Sequence, residues 1–389
     1  MPTFIPSSPA DITPEWVTET MRSAGVLPAG EVTAVVVSDL GGGGTGFTGD
    51  TVRVTLNYDG DGEGPASVIA KFPTSDRQTR GMLEQFDAYA REIRFYRHFA
   101  HRMPCPVPGF LGADFDEKGA RSTGPRMSKL IDALPDRVQL AVTYDVTKFM
   151  RATTRRYALL IEDLGAATTV HDMTEPPSVD GVRRALETLA AVHAEFWDDP
   201  SLAGDPAFRP ILTTTPGLYR TVGHKRCLPM AQTRWRDWLT DEQVGLIRES
   251  LDRFAEDVAI INEPLTLIHG DPRSDNILFR DDGQPVLLDW ALTGNAHPGF
   301  DVGYLLSSCL TVEQADDRNG LVADYEAALA GQGVTTDGRQ LRTVIDSTYR
   351  ALAVQQLMSI VVLNNESYGD AGIYDLWMPR LLAGLATDW

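Results

Sequence analysis

The stretch LIHGDPRSDNILFRDDGQPVLLDW, residues 267–290, constrains this chain more than any other. Two apolar runs, residues 277–279 and 286–288, flank the pair Asp282 and Gly283. An Asp-Gly pair between apolar runs is a strong β-hairpin signal, because both residues accept the positive φ of a tight turn. With those two residues as a two-residue turn, Asn276 falls opposite Asp289, with Cα atoms ~4.5–5.5 Å apart. One amide oxygen and one carboxylate at that range suit a hard cation such as Mg²⁺. Asp271 lies just before the hairpin, spaced from Asn276 as D-x-x-x-x-N, and is left to face a substrate hydroxyl. The plainer reading is that these acids only shape turns.

Further upstream, GGGGTGFTG at 41–49 places Gly44, Gly46 and Gly49 in a G-x-G-x-x-G string. A dinucleotide fold requires a helix after such glycines and an acid ~20 residues on. Here the β-branched run 31–40 precedes the glycines, and TVRVTLNY (51–58) alternates after them; the expected acid position falls in VIAK. The glycines therefore join two antiparallel strands, as a flap over phosphates or as a flexible β-turn. No G-K-[ST] follows, which excludes a Walker loop. Lys71 ends the apolar strand 66–73. It is either an edge residue or a buried ammonium that needs a partner. The pattern over 81–100 predicts one helix carrying Glu84 and Glu92. Glu92, set among Tyr89, Ile93 and Tyr96, is the better candidate partner, with a helix-surface glutamate as the alternative.

Composition removes several function classes. Lys and Arg number 35 against 54 Asp and Glu, a net charge of −19, which opposes nucleic-acid binding and anionic membrane surfaces. At 43% hydrophobic, the 389 residues are enough for a real core and are not a disordered chain. The 3 cysteines, Cys105, Cys227 and Cys309, form no C-x-x-C pair, which fits a reducing compartment. The first residues lack the basic and apolar regions of a signal peptide, and no apolar run reaches the ~18 residues of a membrane span. A cytoplasmic protein is the expectation.

Strands dominate to about Gly165 and helices follow, at 182–197, 240–259, 302–310, 319–330 and 339–363. This predicts an α+β chain of two lobes, 1–165 and 166–389. A segment at 117–155, rich in Lys and Arg, reads as an insertion or solvated flap in the first lobe.

HGD at 269–271, Asn276, the Leu-Asp pair at 288 and 289, and HPGFD at 297–301 together resemble the aminoglycoside phosphotransferase and choline kinase-like superfamily. LLIEDLG (159–165) and LAAVHAEFW (189–197) resemble its lobe junction and following helix, and FLGADF with EDL resembles its ecdysteroid-kinase-like branch. The resemblance implies a two-lobed protein-kinase-like fold. It also implies transfer of the γ-phosphoryl of ATP, with Mg²⁺, to a hydroxyl of a small-molecule acceptor. Asp271 would be the base, and Asn276 and Asp289 the Mg²⁺ ligands. Lys71, fixed by Glu92, would bind the α/β-phosphates under Gly44, Gly46 and Gly49. Glu162, Asp163 and Leu164 would present backbone groups to adenine. Asp301 would support the catalytic loop, or else cap the helix at 302–310. His269 would hold the loop backbone. Arg273 would orient the loop or pair with Asp275.

Trp290 after Asp289 departs from the protein-kinase D-F-G pattern, so no phosphorylation-controlled activation segment is evident. His193 reads as a packed core histidine. The pair Trp235 and Trp238 reads as core or as an aromatic substrate wall. Two rival functions remain: a nucleotide-binding regulatory module without turnover, and a dinucleotide oxidoreductase. The intact Asp271, Asn276, Asp289 and Lys71 argue against the first, and the strand after the glycines against the second.

Overall fold

The computed structural model of the chain describes residues 4–40, 49–59, 64–116, 130–141, 153–165, 168–204, 208, 212, 216–363 and 372–389. Two compact units emerge. The first holds Met1–Met103, Val107–Ser122 and Met150–Thr168; the second holds Pro104–Pro106, Thr123–Phe149 and Thr169–Trp389.

Unit 1 is built on five antiparallel strands: β1 (Val32–Asp39), β2 (Gly49–Tyr58), β3 (Ser67–Pro73), β4 (Phe110–Phe115) and β5 (Tyr157–Glu162), in the order β1-β2-β3-β5-β4. The expected strands thus form, and β1 and β2 pair antiparallel through Asp39↔Val52, on either side of the glycines. Strand alternation sends Val52, Val54, Val68, Ala70, Phe72 and Leu160 to one buried face. Helix α1 (Pro14–Ser23) covers that face with Trp16, Val17 and Met21. Thr13 accepts the Trp16 N–H and Pro14 opens the first turn, so the helix start is locally encoded. Trp16 Nε1 and Thr20 Oγ1 both donate to Asp114 Oδ2, at 2.9 Å each, tying α1 to β4.

The single helix expected over 81–100 is instead two, α2 (Arg77–Gln85) and α3 (Ala88–His98). Asp87 breaks it, with left-handed backbone at φ 56. Aspartate tolerates that region better than most residues. Its carboxylate also takes Arg94 at 3.1 Å and Arg155 at 3.5 Å, which favours the break.

Unit 2 carries helices α4 (Val179–Glu195), α5 (Asp241–Ile261), α6 (Gly299–Cys309), α7 (Arg318–Gly331), α8 (Gly338–Leu363) and α9 (Gly372–Ala386). Thr240 and Gln243 form a reciprocal capping box at the start of α5. α5 and α8 are joined by the buried Asp257 carboxylate, which takes Arg350 at 2.7 and 2.8 Å and Ser347 Oγ at 2.8 Å. Strand β6 (Thr168–Val170) edges a three-stranded sheet with β8 (Ile277–Arg280) and β9 (Pro285–Leu287). Strands β7 (Thr266–Ile268) and β10 (Gly294–Ala296) pair antiparallel.

Part of the basic insertion is docked rather than solvated. Ile131 and Gln139 are buried, Asp132 Oδ1 accepts the Gly217 N–H at 2.6 Å, and Arg226 donates to Leu140 O at 2.9 Å. Its residues 117–129 and 142–152 lie outside the described residues. The three cysteines are free, and no helix among the described residues is long and apolar enough to cross a membrane.

Candidate active site

In unit 1, alternation along β3 turns Lys71 away from the α1 face. Its Nζ meets Glu92 Oε1 on α3 at 2.5 Å, with both side chains largely buried. A buried ion pair is costly to break, by about 3–5 kcal/mol, because the survivor is left as an uncompensated charge. Glu84, the rival partner, is committed to Arg80 at 3.2 Å and to the Thr153 N–H at 2.5 Å. Gly49 sits where a Cβ would collide with the Phe72 carbonyl oxygen. Gly44 and Gly46 lie outside the described residues.

At the end of β5, the Glu162 N–H donates to Gly109 O at 2.9 Å, and Glu162 Oε2 accepts the Gly109 N–H at 3.0 Å. The Glu162 N–H expected to face adenine is therefore already engaged. Asp163 takes Arg53, Ser67 Oγ and the Gly165 N–H on its carboxylate. Burial works against its charge, but these donors outweigh it and hold the carboxyl below the usual range. Leu164 follows, half-buried.

In unit 2 the hairpin forms, with a register one residue off the expected one. Ile277 pairs Leu287 and Phe279 pairs Pro285, so Asn276 stands opposite Leu288, whose N–H donates to Asn276 O at 2.9 Å. The cause is the turn: its loop is residues 281–283, closed by Arg280 N–H to Gln284 O at 3.0 Å, with Gly283 left-handed at φ 79. Such a three-residue loop shifts the facing pairs by one position. Asp289 therefore does not oppose Asn276. It leaves β9 in left-handed backbone, φ 58 and ψ 73, and accepts the Ala291 N–H at 3.4 Å.

Asp271 is buried between these elements. Asn276 Nδ2 donates to Asp271 O at 2.8 Å and to Asp271 Oδ2 at 3.1 Å, and Arg273 Nε lies 3.8 Å from Oδ2. Its Oδ1 is buried with no hydrogen-bond partner among the described residues. Burial pushes the Asp271 carboxyl above the ordinary carboxylate range; Arg273 and the Tyr304 hydroxyl pull the other way, and the Asp289 charge adds to the upward push. Arg273 Nε also lies 3.9 Å from Asp275, so one guanidinium stands close to both carboxylates.

Asp301 carries the loop. α6 begins at Gly299, so Asp301 is inside the helix and the capping reading fails. Its Oδ2 accepts the His269 N–H at 2.6 Å and its Oδ1 the Gly270 N–H at 2.9 Å. Gly270 needs φ 87, and a Cβ there would strike the Leu292 carbonyl. His269 Nε2 donates to Leu288 O at 2.7 Å while Nδ1 accepts the Asp271 N–H at 3.3 Å, which one neutral tautomer satisfies. His193, on α4, is fully buried as expected, yet it is polar in use. Its Nε2 reaches Asp301 Oδ2 at 3.2 Å, and its Nδ1 meets the Tyr325 hydroxyl at 2.9 Å. The sequence signal for this role is an unbroken apolar helix face with one imidazole in it. Tyr304, three residues after Asp301, and Tyr325 carry no local signal at all. Trp235 is 2% exposed and donates to Asp375 at 2.5 Å, which makes it core.

Among the described residues no cluster of three or more His, Cys, Asp or Glu could hold a metal ion by itself. The orphaned, buried Asp271 Oδ1 and the all-oxygen donors of Asn276 and Asp289 fit a hard cation that arrives with phosphates.

Among solved structures, a macrolide 2'-phosphotransferase type I is 14% identical at TM-score 0.45, with 100% of each chain covered. The GDP complex of an aminoglycoside 2'-phosphotransferase-IIIa is 14% identical at TM-score 0.47, covering 95% of this chain and 97% of that one. A choline/ethanolamine kinase family protein from Mesorhizobium loti is 14% identical at TM-score 0.43, covering 92% and 90%. No curated protein is significantly similar in sequence. Residues 45–341 match the Phosphotransferase enzyme family, a span that takes in Lys71, Glu92 and residues 267–290, and by that match this α+β chain belongs to the family.

Proposed function

We propose that the chain moves the γ-phosphoryl group of ATP to a hydroxyl of a small molecule. The observation that carries this reading is the Asp271 carboxyl: buried, held by Asn276, anchored through Asp301, and left with one oxygen unpartnered. A base whose proton affinity is raised by burial takes a hydroxyl proton more readily as the oxygen attacks. Lys71, positioned by Glu92, places an ammonium for the α- and β-phosphate oxygens. Asn276 and Asp289 would hold Mg²⁺, which when bound neutralises charge on the phosphates. Catalysis in such a site is positioning and charge stabilisation, with little covalent work for the protein.

The test is ADP release from MgATP across a panel of hydroxyl-bearing compounds, with Asp271→Asn as control. An acceptor-dependent signal lost in the variant supports the reading. A wild-type chain that binds MgATP but turns over no acceptor favours the regulatory module instead.

A further inference from the structure

The Lys71 face of the sheet holds a second cation with no assigned task. Arg53 pairs with Ile69 across β2 and β3, and Ile69 pairs with Ile161 on β5. Thr51, Lys71 and Leu159 form the next row. Val52, Val54, Val68 and Ala70 all go to the α1 core, so Arg53 and Ile69 share the face of Lys71. A central strand position between two valines suits a β-branched residue, and here it carries a guanidinium.

That guanidinium is fixed. Nε and Nη2 bind the two oxygens of Asp163 at 2.5 and 3.0 Å. Asp163 is itself clamped by Ser67 Oγ at 2.6 Å and the Gly165 N–H at 3.0 Å. The Asp163 side chain is 5% exposed, while Arg53 keeps 36%. One edge of the fork is thus engaged, an in-plane contact that leaves the faces of the guanidinium outside the ion pair. Arginine planes stack on aromatic rings; a lysine ammonium offers no plane. Ile69 and Lys71 are two residues apart on β3, about 7 Å. A nucleotide with its phosphates at Lys71 and its length along this face lays its base over Ile69 and against Arg53.

We propose that Arg53, held flat by Asp163, is the stacking surface for the nucleotide base, an inference that rests on the nucleotide-binding reading above. Stacking uses the π-face that every purine has, so it strengthens adenine and guanine nucleotides alike. A mere strap between β2 and the end of β5 would act on both base and phosphate binding, or on neither.

The experiment measures dissociation constants of MgADP, MgGDP and Mg-tripolyphosphate for the full chain and for Arg53→Met, Arg53→Lys and Arg53→Tyr. Met and Lys should weaken both nucleotides by about tenfold and leave tripolyphosphate unchanged. Tyr, which restores a flat ring without the ion pair, should recover most of the nucleotide affinity. Unchanged nucleotide affinity in the Met variant overturns the proposal. So does an equal loss for tripolyphosphate, or a Tyr variant no better than Met while its melting point matches wild type. A wild-type chain that binds tripolyphosphate but discriminates against neither loss nor gain of a base overturns it too. Absence of all binding by wild type rejects the nucleotide reading itself, and this inference with it.

Discussion

Substitution at three side chains, Asp271, Lys71 and Glu92, tests the site residue by residue. Asp271→Asn keeps the shape of the carboxyl and removes its ability to take a proton. Turnover should fall by about 10²–10⁴, with MgATP affinity nearly unchanged, because the lost interaction is made in the transition state. Steady-state kinetics alongside a nucleotide titration checks both halves, and near-wild-type turnover would rule out the assignment. Lys71 and Glu92 are 2.5 Å apart, so their effects should not add. A cycle of Lys71→Met and Glu92→Gln, read in MgATP affinity, should show coupling of about 1–3 kcal/mol. Additive losses would mean that the two residues act separately. Both residues were legible in the sequence because each violates its surroundings: a lysine ending an apolar strand, and a glutamate among aromatic neighbours. Arg53 was not, since an arginine in an alternating strand reads as an ordinary solvent-facing residue until Asp163 is seen to hold it.

Element by element, local chemistry set what could be read. Strands announced by β-branched runs were legible to within a few residues, as were the helices opened by Ser178 and Thr240. The hairpin of β8 and β9 was legible and its register was not, because Asp282 and Gly283 are compatible with loops of two or three residues, and only the fold chooses. The break at Asp87 was hidden for a related reason: the ion pairs that favour it come from Arg94 and from Arg155, the latter far along the chain. α6 makes a further prediction through His297 at its foot. Its Nδ1 accepts the Gly299 N–H at 3.1 Å, and burial, aided by the nearby His193, pushes its pKa down to about 4 from 6.5. The native state then refuses a proton that the unfolded chain accepts, so stability falls as pH drops from about 6.5 toward 4. The loss approaches 3 kcal/mol, an order-of-magnitude figure. His297→Asn keeps an acceptor for Gly299 and removes the titration. Urea midpoints at pH 7 and pH 5 should differ clearly for wild type and much less for the variant.

For the molecule as a whole, the alternation of a strand-rich part with a helical part was enough to anticipate an α+β chain of two parts. The helices at either end of the chain were harder. α1 is a ten-residue helix whose partners are strands far away in sequence, and α9 contains Pro379, which argues against a helix on local grounds. Ligand linkage tests the assembled molecule rather than any one side chain. Saturation with MgATP at 100 times its dissociation constant should stabilise the chain by about 2.7 kcal/mol and raise its melting point. ATP with the divalent ion chelated should give a smaller shift, because Asn276 and Asp289 then face the phosphates without a cation between them. Equal shifts in a thermal melt would show that no divalent ion takes part.

The backbone at Asp289 has a consequence for anyone who tries to make this molecule tougher. A left-handed residue with a side chain costs about 1 kcal/mol that glycine avoids. Asp289→Gly should therefore melt at or above the wild-type temperature while transferring no phosphate, and Asp289→Ala should lose ground on both counts. A library screened for heat resistance alone would drift toward glycine here and enrich sturdy, idle proteins, so any such screen needs a turnover step beside it.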